Sequence, residues 1–300
     1  MNKTNKDLNN DKSRLLIIGS SGFLGSNLYS LFKNNFDTYG TYFNNNASGL
    51  PLLNCDANSN QNLDYLIANL KPSLIINCAG LVNVEHCEIR PEAAWLINTS
   101  LAANLALKCI EKNIKFIQIS TDHFISQNNL PISENDIVAP LNQYSFTKLA
   151  AEDSIKLINP HALIVRTNFI GLSKLSNRSL LSWAYTELKN DHAIYGFDDV
   201  FFTPVSIPVL ALALKALVQK NASGIYNISS HTKISKYELL VKACNIWNFN
   251  YHKIQKSSIS ESILRAQRPH DLSLNNTKLT MLVGNVIPGL EEMINIASAV

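Results

Sequence analysis

Tyr144 and Lys148 stand four residues apart in the run Asn142-Gln-Tyr-Ser-Phe-Thr-Lys-Leu-Ala-Ala-Glu152. On a helix, residues i and i+4 share one face. A phenol and an ammonium placed this way can act as a unit, because the cation favours the phenolate and lowers a tyrosine pKa that is ordinarily about 10. The chemistry on offer is proton transfer near neutral pH. A surface helix with a tyrosine packed on a lysine stem would show the same spacing. A second chemistry-bearing stretch lies near the N-terminus. Gly19-Ser-Ser-Gly22-Phe-Leu-Gly25 follows the apolar run Arg14-Leu-Leu-Ile-Ile and leads into Ser26-Asn-Leu-Tyr-Ser-Leu-Phe32 at helical period. A strand, a glycine turn and a helix form the arrangement a pyrophosphate needs. Glycines let backbone approach the phosphates, and a helix N-terminus offers unpaired N–H groups and the positive end of a dipole. The spacing is G-x-x-G-x-x-G, with Ser20 standing where the first glycine of G-x-G-x-x-G would fall. A tight turn with no ligand is the alternative.

Alternating elements are expected to position these groups. Strands are predicted at 14–19, 38–42, 73–78, 115–120 and 162–167, and helices at 62–70, 92–112 and 144–157. That alternation argues an α/β fold, a Rossmann-type doubly wound parallel sheet. Ligands in such sheets sit beyond the carboxyl ends of the strands. Gly19, Cys78 to Gly80, Ser120 to Asp122 and Thr167 to Phe169 all fall there. Beyond residue 170 the pattern loosens: helices at 179–188, 207–219, 236–247 and 289–299, and a strand at 224–228. A cofactor domain is therefore expected over 14–168 and a smaller C-terminal α/β substrate lobe over 169–300, the apolar helix 207–219 being free to return to the first. Residues 1–13 are polar and read as a disordered tail.

Taken together, these features resemble the short-chain dehydrogenase/reductase superfamily. Leu70-Lys-Pro-Ser-Leu-Ile-Ile-Asn-Cys-Ala-Gly80, Asn83-Val-Glu-His-Cys-Glu88, Ile117-Gln-Ile-Ser-Thr-Asp122 and Arg166-Thr-Asn168 follow in the order of its extended branch. Asp198-Asp-Val-Phe-Phe-Thr-Pro-Val205 and Arg268-Pro-His-Asp-Leu-Ser-Leu274 look like the C-terminal motifs of the dTDP-4-dehydrorhamnose reductase family and its sugar-nucleotide relatives. The likeness covers about residues 14–280.

It implies an NAD(P)H-dependent reduction of a 4-keto-6-deoxy sugar nucleotide. Tyr144 would give the proton, Lys148 would lower its pKa and hold the nicotinamide ribose, and Thr121 would hydrogen-bond the carbonyl oxygen. Thr121 also fits a turn cap. Asp122 matches a position near substrate, or a turn-forming residue. Asn98 fits a proton-relay or a structural asparagine. Gly19, Ser21, Gly22, Phe23, Leu24 and Gly25 would contact pyrophosphate. Asp56 and Ala57 would face the adenine end, although Asp56 equally suits a helix cap. Cys78, Ala79 and Gly80 would pass close to the adenosine half. Asn168 and Phe169 would touch sugar or nicotinamide, and Arg268 would take substrate phosphates, guanidinium forks being suited to phosphate oxygens; a surface ion pair is its other reading.

NAD enzymes usually place an acid at the end of the second strand for the ribose 2′-hydroxyl. That stretch here is Tyr42-Phe-Asn-Asn-Asn46, with no carboxylate and no arginine, which favours NADP(H) over NAD(H). His123 stands where relatives commonly carry tyrosine, and the loop 125–130 lacks their glycine turn. A packed or capping role is expected for His123 and His86, with no metal site. Two rivals follow from the same resemblance. One is an epimerase or dehydratase, whose usual glutamate after the aspartate is His123 here. The other is a non-catalytic NADP-binding regulatory subunit.

Composition narrows the class. Net charge is +3 over 300 residues, which makes no case for nucleic acid. The greasiest stretch, 207–218, is broken by Pro208 and Lys215, so no membrane partner is expected. Five scattered cysteines and no secretory segment suggest reduced thiols and a cytoplasmic location. A homodimer is a possible state.

Overall fold

The computed structural model describes residues 12–46, 48–126, 131–173, 179–261 and 264–299. Most of the expected tail, residues 1–11, and residues 127–130 of the loop after Asp122 lie outside the described residues.

A seven-stranded parallel sheet forms the centre. From one edge to the other its strands are Gly224–Ile228, Leu163–Thr167, Lys115–Ile119, Leu74–Asn77, Arg14–Ile18, Asp37–Tyr42 and Leu53–Asn54. The inner strands are short and mostly apolar because helices cover both faces, with Asn77, Gln118 and Arg166 as buried polar residues among them. Side chains alternate between the faces. Leu15, Ile17, Leu74 and Ile76 join one core layer with the helices Phe23–Phe32 and Ile207–Gln219. Leu16, Ile18 and Ile75 join the other with the helices Asn60–Leu70, Leu101–Glu111 and Gln143–Ile158. Strand order reverses at Arg14–Ile18, which pairs with Asp37–Tyr42 on one side and Leu74–Asn77 on the other. A crevice therefore opens at its carboxyl end.

Two expectations need correcting. The strand at 224–228, expected in the second lobe, pairs with Leu163–Thr167 over five residues and forms the edge of the central sheet. Together with helix Ile207–Gln219, it returns a segment of the chain to the first lobe. The smaller lobe is built from helices Leu180–Lys189, Lys236–Ile246 and Leu290–Ser298, with short pairings such as Phe201–Phe202 between Ile234–Ser235 and Asp271–Leu272.

The helix expected at 92–112 is not uniformly α-helical. Residues Pro91–Trp95 and Leu101–Glu111 are α-helical, and Leu96–Ser100 between them is a π-helical segment. By length and composition alone, Pro91–Glu111 would suffice to cross a membrane. It packs as a core helix, with Leu101, Ala102, Leu105, Ala106 and Cys109 buried under the sheet.

Candidate active site

The glycine turn is built for close approach. Gly19 has φ +81°, and a Cβ there would lie 2.7 Å from the Ala79 amide nitrogen. The turn after the first strand is thus pressed onto the turn after Leu74–Asn77, and only glycine permits both the dihedral and the distance. A Cβ on Gly25 would collide with the Gly19 carbonyl. Gly22 caps the helix Phe23–Phe32 without a side-chain hydrogen bond, and the first turn carries no acid. Its leading N–H groups are free for an anion. The residues fit a dinucleotide pyrophosphate. Ser20 is buried, its Oγ donating to the Ile17 carbonyl at 2.9 Å, so its hydroxyl serves the turn.

Asp56 and Ala57 follow the outermost strand. The Asp56 carboxylate accepts the Asn58 amide at 3.0 Å, just ahead of Ser59, which caps Asn60–Leu70. The helix cap expected of Asp56 is supplied by Ser59, and the Asp56 carboxylate closes the turn before it. At the end of the second strand, Asn46 closes a turn by donating to the Leu50 carbonyl at 2.9 Å.

Two buried amides shape the neighbouring strand ends. Asn77 Nδ2 donates to Gln118 Oε1 at 2.9 Å, and Asn77 Oδ1 accepts the Ala79 amide at 3.1 Å. Asn98, in the π segment, holds both the amide and the carbonyl of Leu81, at 2.8 and 3.1 Å, and donates to Thr147 at 3.0 Å. It thereby ties the 78–81 turn to the helix that carries Tyr144.

That helix, Gln143–Ile158, starts with a reciprocal cap between Asn142 and Ser145. Tyr144 is 9% exposed and Lys148 6%. Burial drives the Tyr144 phenol above its ordinary pKa; a hydrogen bond with Thr121 pulls it back, while Asp122 and Cys87 add to the rise. The expected lowering by Lys148 is not found. Lys148 Nζ instead donates to the Ile119 carbonyl at 2.6 Å. Burial lowers the lysine to about 8, with Glu152 and then Cys78 opposing. Tyr144 is therefore held in its neutral, protonated form near neutral pH.

Ser120 and Thr121 divide their work. Ser120 Oγ donates to Glu152 Oε1 at 2.5 Å. Thr121 Oγ1 accepts the His123 amide at 3.2 Å and couples to Tyr144. Asp122 is buried and accepts from Asn168 Nδ2 at 2.6 Å. Burial pushes it up to about 6 against that hydrogen bond. The rings of Phe169 and Phe23 lie 6.0 Å apart, linking the strand after Thr167 to the glycine turn. Thr121, Asp122, Tyr144, Lys148, Asn168 and Phe169 thus assemble at the crevice.

Arg268 reaches the site through a partner. Its Nη2 donates to Glu85 Oε1 at 3.2 Å, and its Nε is buried without a partner among the described residues. Glu85 also accepts the amides of Arg265 and Ala266, at 3.0 and 3.4 Å. Burial pushes the Glu85 carboxyl up, but these donors outweigh it and hold its pKa below the usual value.

Sequence reasoning gave His123 only a packed or capping role and assigned no part to Lys236, Glu152 or Arg166. His123 packs its ring edge-on against Tyr144, centroids 5.5 Å apart, and burial, Lys236 and Arg268 together lower it to about 3. Lys236, at the start of helix Lys236–Ile246, is within electrostatic reach of Asp122 and Arg268. Glu152 and Arg166 form a buried ion pair at 2.7 Å behind Lys148. Glu152 left a trace one helical turn after Lys148, and Arg166 appeared only as the head of Arg166-Thr-Asn168 in a strand.

A parallel doubly wound sheet, an uncapped glycine turn and a tyrosine–lysine helix facing a Ser-Thr-Asp turn define a Rossmann-type short-chain dehydrogenase/reductase. Within that class, the chain belongs to the RmlD substrate binding domain family, whose model matches residues 13–298. A dTDP-4-dehydrorhamnose reductase from Clostridium acetobutylicum superposes with a TM-score of 0.82 at 25% identity, over 95% of this chain and 98% of that one. A dTDP-4-dehydrorhamnose reductase from Bacillus anthracis, in complex with NADP, gives 0.85 at 23% identity over 95% and 98%, a likeness of fold. In sequence, the chain is 26% identical to the "Probable low-salt glycan biosynthesis reductase Agl14" of Haloferax volcanii, over 92% of this chain and 94% of that protein. It is 28% identical to mouse methionine adenosyltransferase 2 subunit beta, over 94% and 86%.

Proposed function

We propose that this protein is an NADPH-dependent reductase of a 4-keto-6-deoxy sugar nucleotide. The single observation that carries the reading is a buried, neutral Tyr144 coupled to the Thr121 hydroxyl, with Lys148 one turn along, at the carboxyl end of the sheet beside the glycine turn. The nicotinamide, when bound, supplies the hydride. The backbone amides of residues 19–25 would hold the dinucleotide's pyrophosphate, and Lys148 would hold its nicotinamide ribose. Negative charge grows on the substrate carbonyl oxygen as it is reduced. Thr121 donates a hydrogen bond to that oxygen and Tyr144 delivers the proton. Asp122, oriented by Asn168, and His123 shape the sugar side, and Arg268 takes phosphate oxygens.

The family match and the reductases among the relatives support this reading, and the absence of a carboxylate at Tyr42 to Asn46 supports NADPH over NADH. The subunit-beta relatives favour one competing reading, a cofactor-binding partner subunit without turnover. Absorbance of NADPH, and separately of NADH, is followed after mixing with a dTDP-4-keto-6-deoxyhexose. Consumption by the wild type that Tyr144→Phe abolishes is the expected result. Tight cofactor binding without consumption would reject the substrate assignment and favour the partner-subunit reading.

A further inference from the structure

The ion pair between Glu152 and Arg166 is fully enclosed: Glu152 is 0% exposed and Arg166 2%. Two of the three guanidinium nitrogens, Nε and Nη2, engage the carboxylate, at 2.7 to 3.1 Å. Ser120 Oγ adds a third donor at 2.5 Å. Removing two charges from water costs several kcal/mol per ion, and a buried pair is often no more stabilising than apolar side chains of the same volume. The location of this pair suggests what it is for. Glu152 lies one turn beyond Lys148 on the same helix face. Ser120, which it holds, directly precedes Thr121. Ile119, on whose carbonyl Lys148 rests, directly precedes Ser120.

We propose that Glu152 is a positioning residue whose carboxylate, locked by Arg166 and Ser120, keeps the Lys148 ammonium charged and seated on the Ile119 carbonyl. The proposal rests on Lys148 belonging to the catalytic pair. The other groups around Lys148 cannot substitute for Glu152. Tyr144, one turn earlier, is a neutral phenol. Cys78, after the strand Leu74–Asn77, is a thiol pushed up to about 12 by burial, and it opposes the lowering of Lys148 less than Glu152 does. Arg166, from Leu163–Thr167, is a second cation. Asp122, beyond Thr121, is held by Asn168 and titrates at about 6. Glu152 is the foremost group opposing the burial that lowers Lys148. If Glu152 becomes neutral, Arg166 keeps its charge unconditionally, and Lys148 is the cation able to give up its proton.

The test reads Lys148 itself. The pH titration of its side-chain carbon resonance is followed in isotopically labelled protein, the signal being assigned by its loss in Lys148→Arg. Wild type is expected to titrate near pH 8. Glu152→Gln should titrate lower by about one unit or more, roughly a tenfold loss of charged lysine above that midpoint. Glu152→Asp should restore most of the shift. The double variant Glu152→Gln/Arg166→Met, which leaves no stray cation, should fall between Glu152→Gln and wild type. A folded Glu152→Gln protein with the wild-type midpoint would overturn the proposal, as would a double variant shifted as far as the single one. If Glu152→Gln does not fold, the double variant alone decides: a midpoint below wild type supports the role, and one equal to it removes the role. The alkaline limb of reductase activity should move by the same amount. Because the resonance needs no substrate, a failed reductase assay would leave this result standing.

Discussion

At the residue scale, the site is governed by desolvation. Tyr144 and Lys148 are both pressed toward their neutral forms by burial. The tyrosine is therefore a reservoir of one proton, and the lysine is charged only while its surroundings hold it so. Tyr144→Phe is expected to lower turnover by about 10² to 10⁴, the usual worth of a positioned acid, with NADPH affinity unchanged in a fluorescence titration. His123 gives a separate handle. Its folded pKa, about 3, lies below the ordinary 6.5. Between those values the unfolded chain takes up a proton that the fold refuses, so stability contributed by neutral His123 is present above pH 6.5 and is lost as pH falls toward 3. Calorimetry from pH 7 to pH 5 should show Tm falling more steeply in wild type than in His123→Gln; parallel slopes would mean that His123 is not held neutral.

At the element scale, each turn at the crevice is fixed by something small or buried in a neighbouring element. Gly19 fits against Ala79, Gly25 against the Gly19 carbonyl, and Asn98 clamps Leu81 from inside a π segment. Segments of that kind are frequent where a helix must place a side chain at a functional site. Gly25→Val is expected to leave the sheet folded, since Gly25 lies within the first helix, and to weaken NADPH binding by at least about a hundredfold, because the turn that receives the pyrophosphate must open. Unchanged affinity by calorimetric titration would place the cofactor elsewhere. The strands of the central sheet were legible because continuous apolar runs such as Leu15 to Ile18 suit a position covered on both faces. The π segment was not, because its residues have ordinary helical composition and only the demand on Asn98 distinguishes it.

At the scale of the whole molecule, the two lobes are tied across the site. Glu85, in the short helix Val84–Ile89, gathers the amides of Arg265 and Ala266 and the Arg268 guanidinium, while Asn142 Nδ2 holds the Gln267 carbonyl at 2.8 Å. The segment carrying Arg268 is thus docked on the elements that carry the catalytic residues. Glu85→Ala should release it. The expected result is a KM for the sugar nucleotide raised roughly tenfold with kcat little changed, the mark of lost ground-state binding, and an unaltered Kd for NADPH. Loss of kcat with KM intact would instead place Glu85 in the chemistry.

The sequence by itself determined the parallel sheet, the glycine turn and the tyrosine–lysine helix, because periodicity, glycine placement and an i, i+4 spacing are local properties. It also brought Thr121, Asp122, Asn168 and Phe169 within view, since strand ends in such a sheet point to one crevice. What only the tertiary structure decided depends on groups far apart in the chain. The strand at 224–228 joins the central sheet because the Leu163–Thr167 edge offers it five paired residues. Arg268 meets Glu85 across 183 positions, and Arg166 meets Glu152 from a different element. The tyrosine was read as a proton donor acidified by its lysine neighbour; burial, a property of the assembled fold, moves its pKa the opposite way.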